Sequence, residues 1–134
     1  MRFELPEDKK KIAPNVFREK CPARYLLGKI SGKWSVLIID ILSDKNMRNG
    51  ELMRAIEGIS QKMLTQTLRE LEEMKLIHRH DMQTIPPHVE YELTELGASL
   101  REVICSMDRW IEENMLSIVQ NNDAFQVQYV SNES

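Results

Sequence analysis

Residues 59–69 are the stretch of this sequence best suited to contact another molecule. Four polar side chains there recur at the i, i+3, i+4 and i+7 positions of a helix: Lys62, Thr65, Gln66 and Arg69. The stretch carries two cations and no acidic residue, and the first acid to follow is Glu70. Lys, Arg and Gln side chains recognise base edges in the major groove of DNA. An ordinary solvated helix face is the alternative, and the surrounding elements decide between the two.

Cys21 is the second group that could do chemistry. It precedes a predicted helix, whose N-terminus would stabilise a thiolate, and three nearby cations act in the same direction: Arg18, Lys20 and Arg24. A thiolate attacks quinones and peroxides, so Cys21 is a candidate redox sensor, and the alternative is a half-buried structural cysteine. Cys105 lies off the apolar side of the last predicted helix, where it is either a small filler or a redox partner.

Three histidines invite a metal interpretation, which the sequence does not favour. His78 and His80 share one face of a predicted strand, and His88 lies across a hairpin from them. A zinc site needs three or four convergent ligands, and no fourth ligand is evident. The sequence also lacks a Gly-rich phosphate loop and a nucleophile elbow. We therefore expect no metal, no cofactor and no enzymatic activity.

The elements that would position these residues are mainly helical. A helix over 23–30 would turn Leu26, Leu27 and Ile30 inward, and a second helix, with apolar residues on nearly every side from Val36 to Leu42, is typical of the middle of a core. A third helix would begin with Asn49 as its N-cap.

Gly58 and Ser60 indicate a tight turn between two helices. Gly58 would end the third helix and Ser60 would cap a fourth over 60–74, with Leu64, Leu68 and Leu71 inward. Strands over 76–82 and 88–93 would then pair as a hairpin. A helix-turn-helix followed by a hairpin is a winged helix.

The last helix, capped by Thr94, predicts a dimer. Its apolar residues step mostly by four and three: Leu96, Leu100, Val103, Met107, Ile111, Met115 and Ile118. The resulting apolar seam would be roughly 33 Å long at 1.5 Å per residue. A domain this small cannot bury such a seam, so we expect it to pack against a second copy.

Composition limits where any nucleic acid could bind. The chain has 134 residues, 42% of them hydrophobic and 29% charged, as expected for one globular domain. Residues 1–33 carry nine Lys or Arg against four acids, whereas residues 34–134 carry nine against 17. Binding would therefore come from a local surface rather than from overall charge. No stretch suggests a membrane span or a secretion signal, and two cysteines indicate a reducing cytoplasm.

Several short motifs resemble the HxlR family of bacterial transcriptional regulators. They fall in order over about residues 20–116: Cys21-Pro22, Gly32-Lys33-Trp34, residues 59–71 and residues 86–94. The resemblance implies a winged-helix dimer with MarR-like architecture that binds operator DNA. It also implies a dimer interface built from the last helix and the N-terminal segment. One branch of the family senses oxidants or electrophiles through a cysteine at the Cys-Pro position, here Cys21.

The predicted protein is mainly α with a small β-hairpin, a winged helix-turn-helix that forms a two-fold homodimer through its terminal helices. We predict an N-terminal arm over 1–20, the winged domain with its dimerisation helix over 21–117, and a C-terminal tail over 118–134. Further candidates for DNA contact are Ser60 and Gln61 at the start of the reading helix, Lys45 and Arg48 before the third helix, and His80, Gln83, Thr84 and His88 in the wing.

The candidate dimer residues are Leu100, Val103, Met107, Trp110, Ile111 and Met115. A winged-helix regulator with a non-redox inducer, or a protein-interaction module that has lost DNA binding, are the alternatives.

Overall fold

The computed structural model describes Asn15 and residues 17–125. Most of the predicted arm over 1–20 and the end of the predicted tail over 118–134 lie outside these residues. The elements in chain order are α1 (Pro22–Ile30), α2 (Lys33–Leu42), α3 (Asn49–Ala55), α4 (Gln61–Glu73), β1 (Ile77–Asp81), β2 (Val89–Leu93), α5 (Glu95–Gln120) and α6 (Asp123–Phe125). The chain divides into one compact unit through Ala98 and another from Ser99, and α5 crosses the boundary. The mainly helical fold with a single two-stranded hairpin in the described chain is confirmed.

Leucines and isoleucines of α2 and α4 form the centre of the first unit. Ile38 and Ile39 of α2 are fully buried. The inward face predicted for α4 is confirmed, since its three leucines are at most 2% exposed: Leu64, Leu68 and Leu71. The expectation that α2 is covered on nearly every side is wrong in part, because Leu37 is 40% exposed.

The apolar residues of α1 are not in the core. Leu26 and Leu27, both predicted to point inward, are exposed, and α1 has no buried residue. The physical reason is that α1 is short and lies at the edge of the unit, where an ion pair joins Lys29 to Glu70 of α4. A polar contact therefore joins this helix to α4.

Side chains bond to backbone amides at the starts of α4 and α3, and the cap of α3 differs from its prediction. Ser60 Oγ accepts a hydrogen bond from the Met63 amide at 3.1 Å, so the predicted cap of α4 is confirmed. Asn49 is the first residue of α3 and not its N-cap. The N-cap is Arg48, whose amide donates to the Glu51 carboxylate at 3.1 Å. This single bond, in which the Glu51 side chain reaches back to the backbone, is one half of a capping box, because the Arg48 side chain has no acceptor to complete it.

The hairpin pairs β1 with β2 in antiparallel register, with Ile77 opposite Leu93 and Asp81 opposite Val89. A short bridge adds a third segment to this pair. The Met47 amide donates to the Tyr91 carbonyl at 3.1 Å, and the Tyr91 amide donates to the Met47 carbonyl at 2.8 Å. The segment before α3 is therefore bonded directly to the wing.

Gly97 is buried where β1, β2 and the first turn of α5 meet. Its amide donates to Thr94 Oγ1 at 3.1 Å, which confirms Thr94 as the cap of α5. The Thr94 amide in turn donates to the Leu76 carbonyl at 3.0 Å. A Cβ on Gly97 would overlap that carbonyl oxygen and the Leu93 side chain. The junction therefore accepts only glycine without rearrangement.

Candidate nucleic-acid interface

The turn between α3 and α4 sets the direction of α4 relative to α3 within the first unit. Ile56 and Ile59 are buried on either side of it, 5% and 6% exposed. Between them Gly58 has φ +90°, a left-handed conformation that L side chains rarely adopt. The buried isoleucines hold the turn against the core while Ser60 begins α4 on the outside. This is the geometry of a helix-turn-helix.

The polar face predicted for α4 is on the surface. All six candidate residues are exposed: Ser60, Gln61, Lys62, Thr65, Gln66 and Arg69. Within the described chain, Lys62 and Arg69 form no ion pair. The structure therefore brings these candidates together on one accessible side of α4, with two uncompensated positive charges.

Two hydrogen bonds organise amide side chains on this face. Gln61 Nε2 donates to Thr65 Oγ1 at 2.9 Å, and Gln66 Nε2 donates to Glu70 Oε1 at 3.2 Å. Glu70 Oε1 also accepts from Lys29 Nζ at 2.9 Å. The Lys29 hydrogen bond, with a smaller contribution from Gln66, holds the pKa of Glu70 below its ordinary value, and the same pair raises the pKa of Lys29. Sequence reasoning did not identify Lys29, because its partner is 41 residues away.

The wing carries its histidines next to acids. His80 contacts the Glu92 carboxylate across the hairpin, and His88 Nε2 lies 3.1 Å from Glu90 Oε1. In the tip, Gln83 has φ 52° and its amide donates to Asp81 Oδ1 at 2.9 Å. The two histidines are thus half-buried beside carboxylates, whereas the other two wing candidates are exposed. The four candidates are His80, Gln83, Thr84 and His88.

A cationic pocket lies beside α3. Arg48, Gly50, Glu51 and Arg54 line a surface pocket of about 440 Å³. Lys45 Nζ is 3.6 Å from Glu51 Oε2, so one of the two predicted cations here is partly neutralised. The backbone amide of Arg48, followed by the charge of Lys45, lowers the pKa of Glu51. Arg54 was missed by sequence reasoning, although a cation on the helix preceding a reading helix commonly faces the DNA backbone.

Cys21 is the N-cap residue of α1 and is 7% exposed. Its Sγ accepts a hydrogen bond from the Asn15 amide at 3.0 Å. Burial raises the pKa of Cys21, but backbone hydrogen bonds from Arg24, Asn15 and Ala23 outweigh it and lower the pKa below 9.0. Two of these amides, those of Ala23 and Arg24, belong to the first turn of α1, so the helix N-terminus lowers the pKa of Cys21 as expected. Cys105 is half-buried, and both thiols are free.

The second unit presents apolar side chains along α5. Of the six candidate dimer residues, five are 46–61% exposed in the single chain: Val103, Met107, Trp110, Ile111 and Met115. Leu100 is half-buried. Leu116 is 67% exposed on another side of the helix. Most of the predicted seam is thus accessible to a partner.

Metal ligands and membrane-spanning segments are the two remaining kinds of site that a chain of this kind could carry. Among Asn15 and residues 17–125, no group of three or more His, Cys, Asp or Glu side chains is arranged to hold a metal ion. No helix in that part of the chain is both long and apolar enough to cross a bilayer.

Known proteins are similar to this chain in both sequence and architecture. The chain is 38% identical over 109 residues to the HTH-type transcriptional regulator YtfH of Escherichia coli K12, covering 81% of this chain and 86% of that protein. The structure of the transcriptional regulator YtfH from Salmonella typhimurium is similar, with a TM-score of 0.74, 37% identity and coverage of 80% and 96% of the two chains.

The redox regulator HypR, solved in reduced and oxidised forms, is also similar. Its oxidised form has a TM-score of 0.64 and 39% identity, with coverage of 70% of this chain and 97% of HypR. These relatives are regulators of transcription and not enzymes. The HxlR-like helix-turn-helix family model matches residues 29–118. With a turn, a reading helix and a wing in that order, this chain belongs to the HxlR-like helix-turn-helix family of transcriptional regulators.

Proposed function

We propose that this regulator acts in the cytoplasm as a two-fold homodimer that reads double-stranded operator DNA with α4. Four side chains would contact base edges in the major groove: Lys62, Thr65, Gln66 and Arg69. Ser60 and Gln61 would contact phosphates or bases at the helix start. Weaker backbone contacts would come from Lys45 and Arg48 and from the wing: His80, Gln83, Thr84 and His88. The observation that carries the proposal is the exposed polar face of α4, on which Lys62 and Arg69 have no acidic partner in the described chain.

Electrostatics supports this face over others. The chain has a net charge of −3, so its overall charge is repelled by the phosphates of DNA and binding requires a locally positive surface. Exposed Lys62 and Arg69, without acidic partners in the described chain, give α4 a local positive surface. The wing offers less, because its histidines neighbour Glu90 and Glu92. We therefore assign base reading to α4 and only backbone contact to the wing.

The exposed apolar side of α5 supports dimerisation. Apolar side chains such as Met107 and Ile111 are about half exposed in the single chain, and burying them is favourable by about 25 cal/mol per Å². A two-fold axis would place the two α4 helices about 34 Å apart, one turn of DNA, on a pseudo-palindromic site.

Replacing Arg69 by Ala should weaken binding to an operator selected from random duplexes by about 1–3 kcal/mol, or roughly 5- to 150-fold. The preference at the base pair that Arg69 contacts should also relax, because a bidentate guanidinium contact would be lost. Fluorescence anisotropy on the operator and its single-base variants measures both effects.

Arg109→Ala is the matched control, since Arg109 is exposed on α5 and outside the proposed surface. An Arg69 variant that binds as tightly as Arg109→Ala would show that another face reads the DNA. A parent protein that binds no duplex even at low salt would favour the protein-interaction module instead.

A response to oxidants through Cys21 is the finer part of the proposal. The lowered pKa of Cys21 enlarges its thiolate fraction, and the similar protein HypR is a redox regulator. Diamide would take two electrons and two protons from two thiols, forming one S–S bond and the reduced hydrazine. A quinone would instead add its ring carbon to the sulfur, and the ring would become a hydroquinone.

Cys21→Ser should retain operator binding under reducing conditions and lose the response to diamide and benzoquinone, because only a thiolate attacks them. Cys105→Ser is the control. Addition of a quinone needs only the Cys21 thiol, so this variant should respond to benzoquinone as the parent does. Operator affinity is measured before and after treatment. Parent affinity that stays constant after treatment would make Cys21 structural.

A non-redox inducer is the second candidate, and the 7% exposure of Cys21 favours it by limiting access to the thiol. A place for such a molecule exists in the first unit. Leu37, Asp40, Ile41, Ala55, Ile56 and Glu57 line a pocket of about 410 Å³ between α2 and α3. Its lining is mainly apolar, which suits a small apolar molecule.

A further inference from the structure

One carboxylate oxygen joins α1 to the proposed reading face of α4. Glu70 Oε1 accepts from Lys29 Nζ at 2.9 Å and from Gln66 Nε2 at 3.2 Å. Glu70 is half-buried, whereas Gln66 is exposed. The interaction therefore runs from the edge of the core outward to a side chain that would lie in the groove.

The contact with Glu70 decides which way the Gln66 amide faces. An exposed glutamine amide can rotate, and its oxygen and nitrogen ends can exchange places. An ionised carboxylate is an acceptor only, so it can pair with the NH₂ group and not with the carbonyl. Gln66 Oε1 is consequently turned away from Glu70, and one hydrogen of Nε2 remains available.

This arrangement matches one base edge. Adenine presents an N7 acceptor and an N6 donor in the major groove, and a glutamine pairs with both through its NH₂ and its carbonyl. Gln66 keeps one N–H and its carbonyl oxygen for such a pair while its other N–H stays on Glu70. A side chain fixed before binding has less rotational freedom to lose.

Lys29 keeps this acceptor in place. Its ammonium bonds to the same oxygen, 2.9 Å away, from the neighbouring helix. Glu70, like any ordinary glutamate, is ionised at neutral pH and can only accept, and the Lys29 hydrogen bond lowers its pKa further. Without Lys29, the Glu70 side chain could turn toward solvent and release the amide.

We propose that Glu70 and Lys29 are positioning residues that orient the Gln66 amide to select adenine at one operator position, although neither contacts a base. The inference rests on the proposed reading of DNA by α4. It concerns the ratio of affinities between two bases at one position, which a general change in charge or stability does not alter.

A double-mutant cycle tests this with four proteins: the parent, Glu70→Ala, Gln66→Ala and the double variant. Each is titrated against the selected operator and against operators carrying every base at each position. Gln66→Ala identifies the position that Gln66 reads as the one where base preference flattens. At that position the parent should favour adenine by about 5- to 100-fold.

Glu70→Ala should reduce that preference by about three- to tenfold and leave other positions unchanged. Removing an acid near phosphates can raise affinity for every duplex, which is why the preference and not the affinity is the readout. In the Gln66→Ala background, Glu70→Ala should change the preference no further. Lys29→Met should act like Glu70→Ala, whereas Lys29→Arg, which retains a cationic donor, should keep the preference.

Three results would overturn the inference. They are an unchanged preference in Glu70→Ala, an equal loss with and without Gln66, or a position read by Gln66 that does not favour adenine. If Gln66→Ala flattens no position while Arg69→Ala does, the positioning role fails and the proposed reading by α4 stands. If the parent binds no duplex, the proposed function itself fails. Thermal melts of all variants establish that each one is folded before it is titrated.

Discussion

Met107→Glu should make the regulator monomeric at micromolar concentration and lower its affinity for the operator by on the order of a thousandfold or more. Met107 is 47% exposed in the centre of the apolar seam of α5. A two-fold interface would contain the substitution twice, and each unpaired carboxylate would have to be desolvated on association. A monomer retains one half-site, so its binding should approach the non-specific level. Sedimentation velocity and anisotropy titrations measure the two losses.

Leu116→Glu is a matched control for the seam. Leu116 is even more exposed, at 67%, and lies about two and a half turns from Met107 at 3.6 residues per turn, on the opposite side of α5. The same apolar-to-acid change there should leave the dimer and operator binding intact. Equal dissociation by both variants, or dimers from both, would mean that the seam is not the interface.

Gly97→Ala should lower the free energy of unfolding by about 2–3 kcal/mol, which corresponds to a fall in Tm of roughly 10 °C. The new methyl group would overlap the Leu76 carbonyl oxygen and the Leu93 side chain. Leu93 could change rotamer, but the carbonyl is part of the backbone and is held by the Thr94 amide at 3.0 Å. The helix propensity gained from alanine offsets only about 1 kcal/mol of this strain.

Gly28→Ala makes the same chemical change without the clash. Gly28 lies within α1, and a Cβ there would have no heavy atom within 4 Å. It should stabilise the protein by about 0.4–1 kcal/mol. Denaturant titrations of both variants compare the two glycines directly. A Gly97 variant as stable as the Gly28 variant would show that β1, β2 and α5 can separate slightly at no cost.

Local signals were sufficient for most of the fold. The inward period of Leu64, Leu68 and Leu71, the cap Ser60 and the turn at Gly58 are each properties of a few neighbouring residues. The structure confirms the helix-turn-helix and the hairpin that they predict. The cap of α3 was misplaced by one residue because Asn49 is a good capping residue, whereas Arg48 acts through its backbone and Glu51.

Contacts between residues that are far apart in the sequence could not be predicted from such local signals. Leu26 and Leu27 have the period of a buried face, yet they are exposed because nothing in the described chain covers that side of α1. The link from Lys29 to Glu70 joins residues 41 positions apart, and no pattern in either helix indicates it. For Cys21 the sequence suggested that charge lowers its pKa, but the backbone hydrogen bonds that do so depend on the folded turn.

The bridge between Met47 and Tyr91 also determines where the wing can lose conformational entropy. Its two hydrogen bonds fix the middle of β2 to the segment before α3 in the free protein. Fixing a residue's backbone costs about 1–2 kcal/mol in conformational entropy. The base of the hairpin loses this entropy when the protein folds, and therefore not when it binds. The tip over residues 83–87 is exposed and lies outside both strands and this bridge, so its backbone is less constrained than the base of the hairpin. A wing anchored in this way would lose little backbone entropy at its base on binding, so any entropic cost of docking the wing would come from its tip.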